Sequence, residues 1–215
     1  MSLSVDVISD VICPWCFIGK RRLEKAIAVH RSPVTVRWHA FQLNPAMPKE
    51  GISRREYRIK KFGSWERSLQ LDANIVAVGR EEGILFDFDR MEWTPNTVDA
   101  HRLIALAGCE GCQDAVVEAL FLAYFTEGRN LCDPQTLIDI VADAGLGRSK
   151  AEARLNSEDG MDAIVEGREK ARQFQIESVP FFVVNNAVTL SGAQDPQVFL
   201  ATFAQAAVAK GPRNE

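Results

Sequence analysis

Apolar and polar residues alternate with strand periodicity at both ends of the chain and with helical periodicity between them. Val5 and Val7 lie in a short β-rich run near the N-terminus, and residues 34–41 alternate in the same way. Between these runs, the apolar side chains of residues 23–30 recur at the spacing of one buried helical face. Because a helix separates the two strands, the pattern predicts parallel pairing in a βαβ unit.

The middle of the chain carries only helical signals. Apolar faces recur at intervals of three and four residues within residues 100–107, 117–124 and 137–144. A further helix is predicted from residue 159 to about residue 173. We expect these faces to form a core and not a cofactor site.

Strand character returns only near the C-terminus. Residues 181–184 and 187–190 flank an Asn-Asn pair at 185–186, which predicts a β-hairpin. Asp195 and the proline after it are expected to begin a final helix, and residues 211–215 to form a loose end. The predicted order is therefore βαβ, a long run of helices, and ββα.

The motif with the clearest chemistry is Cys13-Pro14-Trp15-Cys16, which follows the first strand and opens the first helix. At a helix N-terminus, unpaired N–H groups and the helix dipole stabilise an anion, so the Cys13 thiol is expected to ionise readily. Its thiolate would attack a disulfide, and Cys16, one turn further on, would resolve the mixed disulfide. We expect Cys13 to be solvent-accessible and Cys16 to be buried.

The same spacing also occurs in structural cysteine pairs and in half of a zinc site. The strand before the pair, the helix after it and the proline that follows Cys13 favour redox chemistry. Trp15 is expected to lie exposed over the dithiol, where it could contact a substrate, or to pack beside its own helix.

Four stretches resemble one known family, the DsbA-like, FrnE-type thioredoxin-fold oxidoreductases. They are residues 9–19 around the dithiol, residues 95–103, residues 119–128, and Val179-Pro180 before an apolar strand. The resemblance implies an α/β, thioredoxin-like fold with a large all-helical insertion between its βαβ and ββα halves. The thioredoxin-like domain would then comprise residues 1–50 and 176–215, and the insertion domain residues 51–175.

The resemblance also implies how a substrate is bound. Val179-Pro180 matches the cis-proline loop of the superfamily, so we expect a cis bond that lies against the Cys13 sulfur. Pro14, Trp15, Val179 and Pro180 are the expected substrate-binding residues. Exported DsbA proteins carry histidine where this chain has Trp15, so their strongly oxidising character is not carried over.

The same fold group includes kappa-class glutathione transferases and 2-hydroxychromene-2-carboxylate isomerases, which usually carry serine at the first active-site position. Because this chain keeps both Cys13 and Cys16, disulfide exchange is favoured over glutathione-dependent isomerisation. Both that isomerase or transferase activity and a non-catalytic chaperone or binding module stay open as alternatives. The expected partners are disulfide- or thiol-containing proteins and peptides, with glutathione as a further candidate.

Three more cysteines and two histidines could carry chemistry. Three interpretations compete for the additional cysteines, Cys109, Cys112 and Cys132. They are unpaired thiols, or Cys109 and Cys112 form an auxiliary redox pair, or all three bind zinc together with His101. We favour unpaired thiols and expect neither a metal nor a cofactor. His39 is expected to be packed or solvent-facing.

Composition and charge narrow the class of protein. The 215 residues have a formal net charge of −4, which argues against a nucleic-acid-binding protein. No apolar run is long enough to span a membrane, and residues 1–6 lack the pattern of a secretory signal. With five cysteines, these features favour a cytoplasmic protein. The basic clusters at residues 20–22 and 54–55 are interpreted as solvated helix faces.

Overall fold

The computed structural model describes residues 2–209. Residues 211–215, which the sequence predicts to form a loose end, lie outside that range. The strands are β1 (Leu3–Ser9), β2 (Val34–Ala40), β3 (Ile52–Ser53), β4 (Trp93–Thr94), β5 (Phe181–Val184) and β6 (Val188–Ser191). The helices are α1 (Pro14–Val29), α2 (Arg54–Phe62), α3 (Trp65–Glu81), α4 (Val98–Glu110), α5 (Gln113–Phe125), α6 (Pro134–Asp143), α7 (Arg148–Leu155), α8 (Met161–Gln173) and α9 (Pro196–Ala209).

The main sheet has the strand order β2-β1-β5-β6. Strand β1 pairs in parallel with β2 and antiparallel with β5, and β5 and β6 form the predicted hairpin. Asn185 and Asn186 both have positive φ, which asparagine tolerates better than most residues, and they turn the chain between β5 and β6. The βαβ–ββα arrangement of a thioredoxin-like fold is confirmed.

The segment between β2 and β5 is helical, as predicted, with one addition. Strands β3 and β4 pair antiparallel, and a 3₁₀ turn at Phe88–Arg90 precedes β4. Two residues per strand are too few to produce a strand periodicity, so the sequence does not reveal this pair. The domain boundaries at residues 50/51 and 175/176 stay a prediction. Within residues 2–209, every helix is too short or too polar to cross a bilayer.

Aromatic packing joins helix α1 to the helical insertion. The Phe17 ring, which is fully buried, stacks on Phe121 of α5 with their centroids 5.0 Å apart. Phe125 and Phe86 pack around the same ring. The helix that carries the dithiol therefore shares one hydrophobic core with the insertion.

An ion cluster beside this core corrects the interpretation of residues 20–22 as a solvated face. Lys20 has a side-chain exposure of 2%, and its ammonium contacts Glu24, Asp114 and Glu118. Burial alone would lower the pKa of Lys20, but these three carboxylates outweigh it and raise the pKa. Because two of them belong to α5, the cluster also fastens α1 to the insertion.

The outer edge of strand β2 is covered by a side chain and not by another strand. The Trp38 backbone N–H donates to Gln113 Oε1 over 3.0 Å, and Gln113 Nε2 donates to the Trp38 carbonyl over 3.2 Å. The Trp38 indole N–H donates to Asp114 Oδ1 over 3.0 Å. The start of α5 therefore occupies the hydrogen-bonding groups of β2 at this point.

Candidate functional site

The two cysteines of the predicted dithiol lie one turn apart at the N-terminus of α1. Cys13 is the extended residue just before the helix, and Pro14 is the first helical residue. The Cys13 N–H donates to the Asp10 carbonyl, and the Cys16 N–H donates to the Cys13 carbonyl, each over 3.0 Å. Both cysteines are free thiols. The order of the two thiols along the helix is as predicted.

Both thiols are buried, which corrects the expectation that Cys13 is openly solvent-accessible. Cys13 keeps 5% of its surface exposed and Cys16 none. Burial and the neighbouring Cys13 sulfur raise the pKa of Cys16 well above its ordinary value, and hydrogen bonds from the Ser9 hydroxyl and the Asp10 backbone offset only part of this. Cys16 is therefore a protonated thiol at neutral pH.

The Val179–Pro180 peptide bond is cis, as predicted, and it lies against the dithiol. The Cys13 thiol donates a hydrogen bond to the Val179 carbonyl, with 3.5 Å between Sγ and O. On the other side, Pro180 packs against Gly19 of α1. A Cβ atom at residue 19 would lie 2.9 Å from Pro180 Cγ and 3.2 Å from the Phe182 ring. Glycine at position 19 thus allows the Val179 loop to approach Cys13.

A cavity of about 360 Å³ opens beside the dithiol, between the start of α1 and helices α2 and α3 of the insertion. Cys13, Pro14 and Trp15 form one end of it, and Trp15 is 40% exposed. Its remaining lining is largely apolar and aromatic, and includes Phe62, Leu71, Ile75, Phe88, Met91 and Tyr124. A ligand that fills the end of the cavity nearest Cys13 would lie beside the first cysteine of the dithiol.

Helix α2 turns one basic face toward this cavity, which the sequence reasoning missed. Arg54, Arg58 and Lys61 line it together with Tyr57. Arg54 is only 5% exposed, so the interpretation of residues 54–55 as a solvated face is wrong for Arg54. The available signal was the spacing of the three basic residues at i, i+4 and i+7, which puts them on one helical face.

Sequence comparison decides the family. Residues 4–204 match the model of the DSBA-like thioredoxin domain. The chain belongs to this family.

Solved structures agree with that assignment. This DSBA-like chain is 30% identical to a probable DsbA oxidoreductase from Streptomyces coelicolor, with a TM-score of 0.92 over 99% of this chain and 93% of the other. A 2-hydroxychromene-2-carboxylate isomerase has a TM-score of 0.69 at 20% identity, over 96% of each chain. The cytosolic disulfide reductase DsbM from Pseudomonas aeruginosa, in a structure with GSH, has a TM-score of 0.64 at 19% identity, over 96% of each chain. At these identities the last two show the shared fold.

Two polar residues near the dithiol of this DSBA-like chain support its backbone. The Asp10 carboxylate is fully buried, and its Oδ2 accepts the Leu43 N–H over 2.8 Å. His101 Nε2 lies 3.0 Å from the Phe41 carbonyl and 3.3 Å from Asp10 Oδ1. His101 and Asp10 therefore fasten the segment after β2 to the loop before Cys13.

The other predicted candidates lie apart from the dithiol. His39 binds Asp6 with 2.7 Å between Nε2 and Oδ1, so it is packed, as expected. Within residues 2–209, no three His, Cys, Asp or Glu side chains are grouped so as to hold a metal ion. The zinc interpretation of the additional cysteines therefore has no structural support.

The additional cysteines of the DSBA-like chain occupy separate surroundings. Cys109 is exposed near the end of α4, and Cys112 is the residue just before α5. Cys132 lies beside Gly51. All three are free thiols, and whether Cys109 and Cys112 exchange electrons stays open.

Proposed function

We propose that this protein is a thiol–disulfide oxidoreductase that works through Cys13 and Cys16. The observation that carries the proposal is the position of Cys13, which opens helix α1, lines the cavity and has Cys16 one turn deeper. A nucleophile must be reachable by a substrate, whereas a resolving thiol has to reach only the first sulfur. Membership of the DSBA-like family supports the same chemistry.

The exchange takes place in two steps. The Cys13 thiolate attacks one sulfur of a substrate disulfide, which forms a mixed disulfide and releases the first substrate thiolate. Cys16 then loses its proton and attacks the Cys13 sulfur, which releases the second thiolate and leaves a Cys13–Cys16 disulfide. The protein loses two electrons and the substrate gains two. A dithiol reductant, or the reverse reaction with a substrate dithiol, regenerates the starting state.

The surroundings of Cys16 suit it to act only in the second step. Part of the rise in its pKa comes from the neighbouring Cys13 sulfur. When Cys13 enters a mixed disulfide, it is no longer an ionisable neighbour, so this part of the rise in the pKa of Cys16 is removed. Burial, the larger cause of the raised pKa, remains at that stage, so Cys16 is suited to attack only the sulfur that lies next to it.

Four residues around Cys13 are proposed to bind the substrate. The Val179 carbonyl lies 3.5 Å from the Cys13 sulfur, and we propose that the Val179 backbone, oriented by the bond to Pro180, pairs with an extended substrate. Pro14 and the half-exposed Trp15 line the cavity together with Cys13. Substrates would be thiols or disulfides of proteins or small molecules, with glutathione as one candidate. We propose the cytoplasm as the compartment.

Counting the released thiols tests the proposal. We would use protein in which Cys109, Cys112 and Cys132 are replaced by serine, and 4,4′-dithiodipyridine as a chromogenic disulfide. The reduced protein should release two thiopyridone molecules and end with a Cys13–Cys16 disulfide. Cys16→Ser should release one and retain the other half on Cys13, which mass spectrometry would detect. In Cys13→Ser the remaining thiol, Cys16, is fully buried, so this variant should react only slowly.

A different labelling pattern would contradict the assignment. If Cys13→Ser reacted as fast as the parent protein, or if the label were on Cys16, Cys13 would not be the attacking thiol. Reduction of insulin by dithiothreitol, with and without the protein, would show separately whether protein disulfides are substrates.

A further inference from the structure

The cavity beside Cys13 has an excess of positive charge although the whole chain has a net charge of −4. Arg54, Arg58 and Lys61 line it from α2, and the carboxylate bound to this group is Asp72 of α3. Arg54 and Arg58 share that one carboxylate. Three cations against one anion leave the cavity wall positive.

Lys61 has no carboxylate partner among residues 2–209. Its ammonium donates to the Tyr57 hydroxyl over 2.7 Å and lies near the Tyr57 and Phe62 rings. Tyr57 in turn donates to Asn44 Oδ1 over 3.0 Å, which fixes its ring. The ammonium of this exposed residue is thus held beside Tyr57 without a carboxylate partner.

The guanidinium of Arg58 is also short of negative charge. Burial lowers its pKa, Asp72 opposes this effect, and the neighbouring Arg54 lowers the pKa further. A cation in such surroundings is stabilised when a second anion binds close to it. The lining that faces it is apolar and aromatic, which suits a carbon framework of modest size.

We propose that the cavity binds small organic disulfides that carry a carboxylate on an aromatic or aliphatic body, with Arg58 and Lys61 holding the carboxylate while the disulfide lies at Cys13. The inference rests on the proposed exchange activity and specifies its substrate class. Electron and atom balance is that of the two-step exchange above: the substrate disulfide becomes two carboxylate-bearing thiols, and the dithiol becomes a disulfide. A dithiol such as dithiothreitol closes the cycle.

Two aromatic disulfides that differ in charge test the proposal. The anionic one is 5,5′-dithiobis(2-nitrobenzoate), and the uncharged one is 4,4′-dithiodipyridine. The reduced protein, with its three additional cysteines replaced, is allowed to react with each probe. The rate constant is then divided by the rate constant of the same probe with 2-mercaptoethanol, which corrects for the intrinsic reactivity of the probe. At low ionic strength we expect the quotient to favour the anionic probe by about 10-fold or more, and salt should reduce this preference.

Neighbouring lysines on α2 supply a matched pair of variants. Both lysines are exposed, but Lys61 lines the cavity beside Cys13 and Lys60 does not, so Lys61→Met removes a cation from the cavity wall and Lys60→Met removes one from outside it. Lys61→Met should lower the rate with the anionic probe about 3- to 10-fold more than it changes the rate with the uncharged probe. Lys60→Met should leave the preference within about 2-fold, because its ammonium lies outside the cavity lining and its effect on a bound anion is weakened by distance and by salt.

The possible results separate the two proposals. No preference for the anionic probe, or equal losses in Lys60→Met and Lys61→Met, would overturn the substrate assignment while exchange itself stands. Failure of both probes to react would overturn the exchange activity instead. Isothermal titration of Cys13→Ser protein with 4-nitrobenzoate then tests the cavity alone. Binding that Lys61→Met weakens supports the proposal, and binding unaffected by it, or no binding, refutes it.

Discussion

Gly19→Ala should slow disulfide exchange by about 10-fold or more in a protein that still folds. The new methyl carbon would lie 2.9 Å from Pro180 Cγ and 3.2 Å from the Phe182 ring. Carbon atoms pack best at about 3.5–4.0 Å, so Pro180 must retreat by about 0.6–1 Å. The ring of proline is rigid, and the adjoining Val179 carbonyl, now 3.5 Å from Cys13 Sγ, is expected to move with it.

The two effects can be weighed against each other. Overpacking costs about 1–3 kcal/mol, and alanine in place of glycine within a helix returns about 1 kcal/mol. The net loss of about 0–2 kcal/mol would lower the melting temperature by at most about 8 °C. A displacement approaching 1 Å at a reacting group can reduce a rate by up to about 100-fold. We therefore expect a loss of about 10-fold or more in the rate with 4,4′-dithiodipyridine.

Stopped-flow absorbance gives the rate, and thermal unfolding by circular dichroism gives the stability. Gly108→Ala on α4 is the control, because it makes the same substitution in a helix and its closest neighbour is the end of the Gln113 side chain. It should leave the exchange rate unchanged. If Gly19→Ala kept the parental rate, the packing of Pro180 on α1 would not position the groups at Cys13.

Two further variants test other parts of the molecule. Lys20→Met should lower the free energy of unfolding by about 2 kcal/mol. This is less than the loss of a fully buried ion pair would cost, because the carboxylate partners of Lys20 reach solvent. Melting curves should show a fall of about 4–8 °C in the melting temperature. Folding raises the pKa of Lys20 above its ordinary value of 10.5, so the Lys20 ion pairs contribute fully to stability below that pH and less as the pH rises further. A stability difference between Lys20→Met and the parent protein that stayed constant up to strongly alkaline pH would contradict this reasoning. Replacing Cys109, Cys112 and Cys132 with serine should leave the rate of insulin reduction within about 2-fold, because substitutions away from a site rarely matter. A large loss of rate in a protein that still folds would indicate a relay pair.

The framework of the fold could be predicted from the sequence because its signals are local. Strand periodicity located β1 and β2, the Asn-Asn pair located the hairpin, and cysteine spacing at a helix start located the dithiol. Contacts between distant residues were less accessible. The contact between Val179 and Cys13, which are 166 residues apart, was expected only through the family resemblance.

Charge was where the sequence reasoning failed, because burial of a charged residue depends on partners elsewhere in the chain. Lys20 resembled part of a solvated cluster, yet its side chain is buried and its ammonium contacts Asp114, 94 residues away. Arg54 was misread for the same reason, since Asp72 is provided by the next helix. In both cases local hydrophilicity predicted exposure, and an ion pair between helices made burial possible.

The pairing of Gln113 with Trp38 has a consequence for how the protein avoids association. An uncovered outer strand offers its backbone groups to any other chain, which favours aggregation and strand exchange. Here a side-chain amide satisfies the Trp38 backbone groups that another molecule would use. That protection exists only when α5 is docked. A chain whose insertion has not yet folded would therefore expose the backbone N–H and carbonyl of Trp38 to pairing with other chains. Docking of the helical insertion thus protects the sheet edge at Trp38 in the folded protein, in addition to forming part of the wall of the cavity beside Cys13.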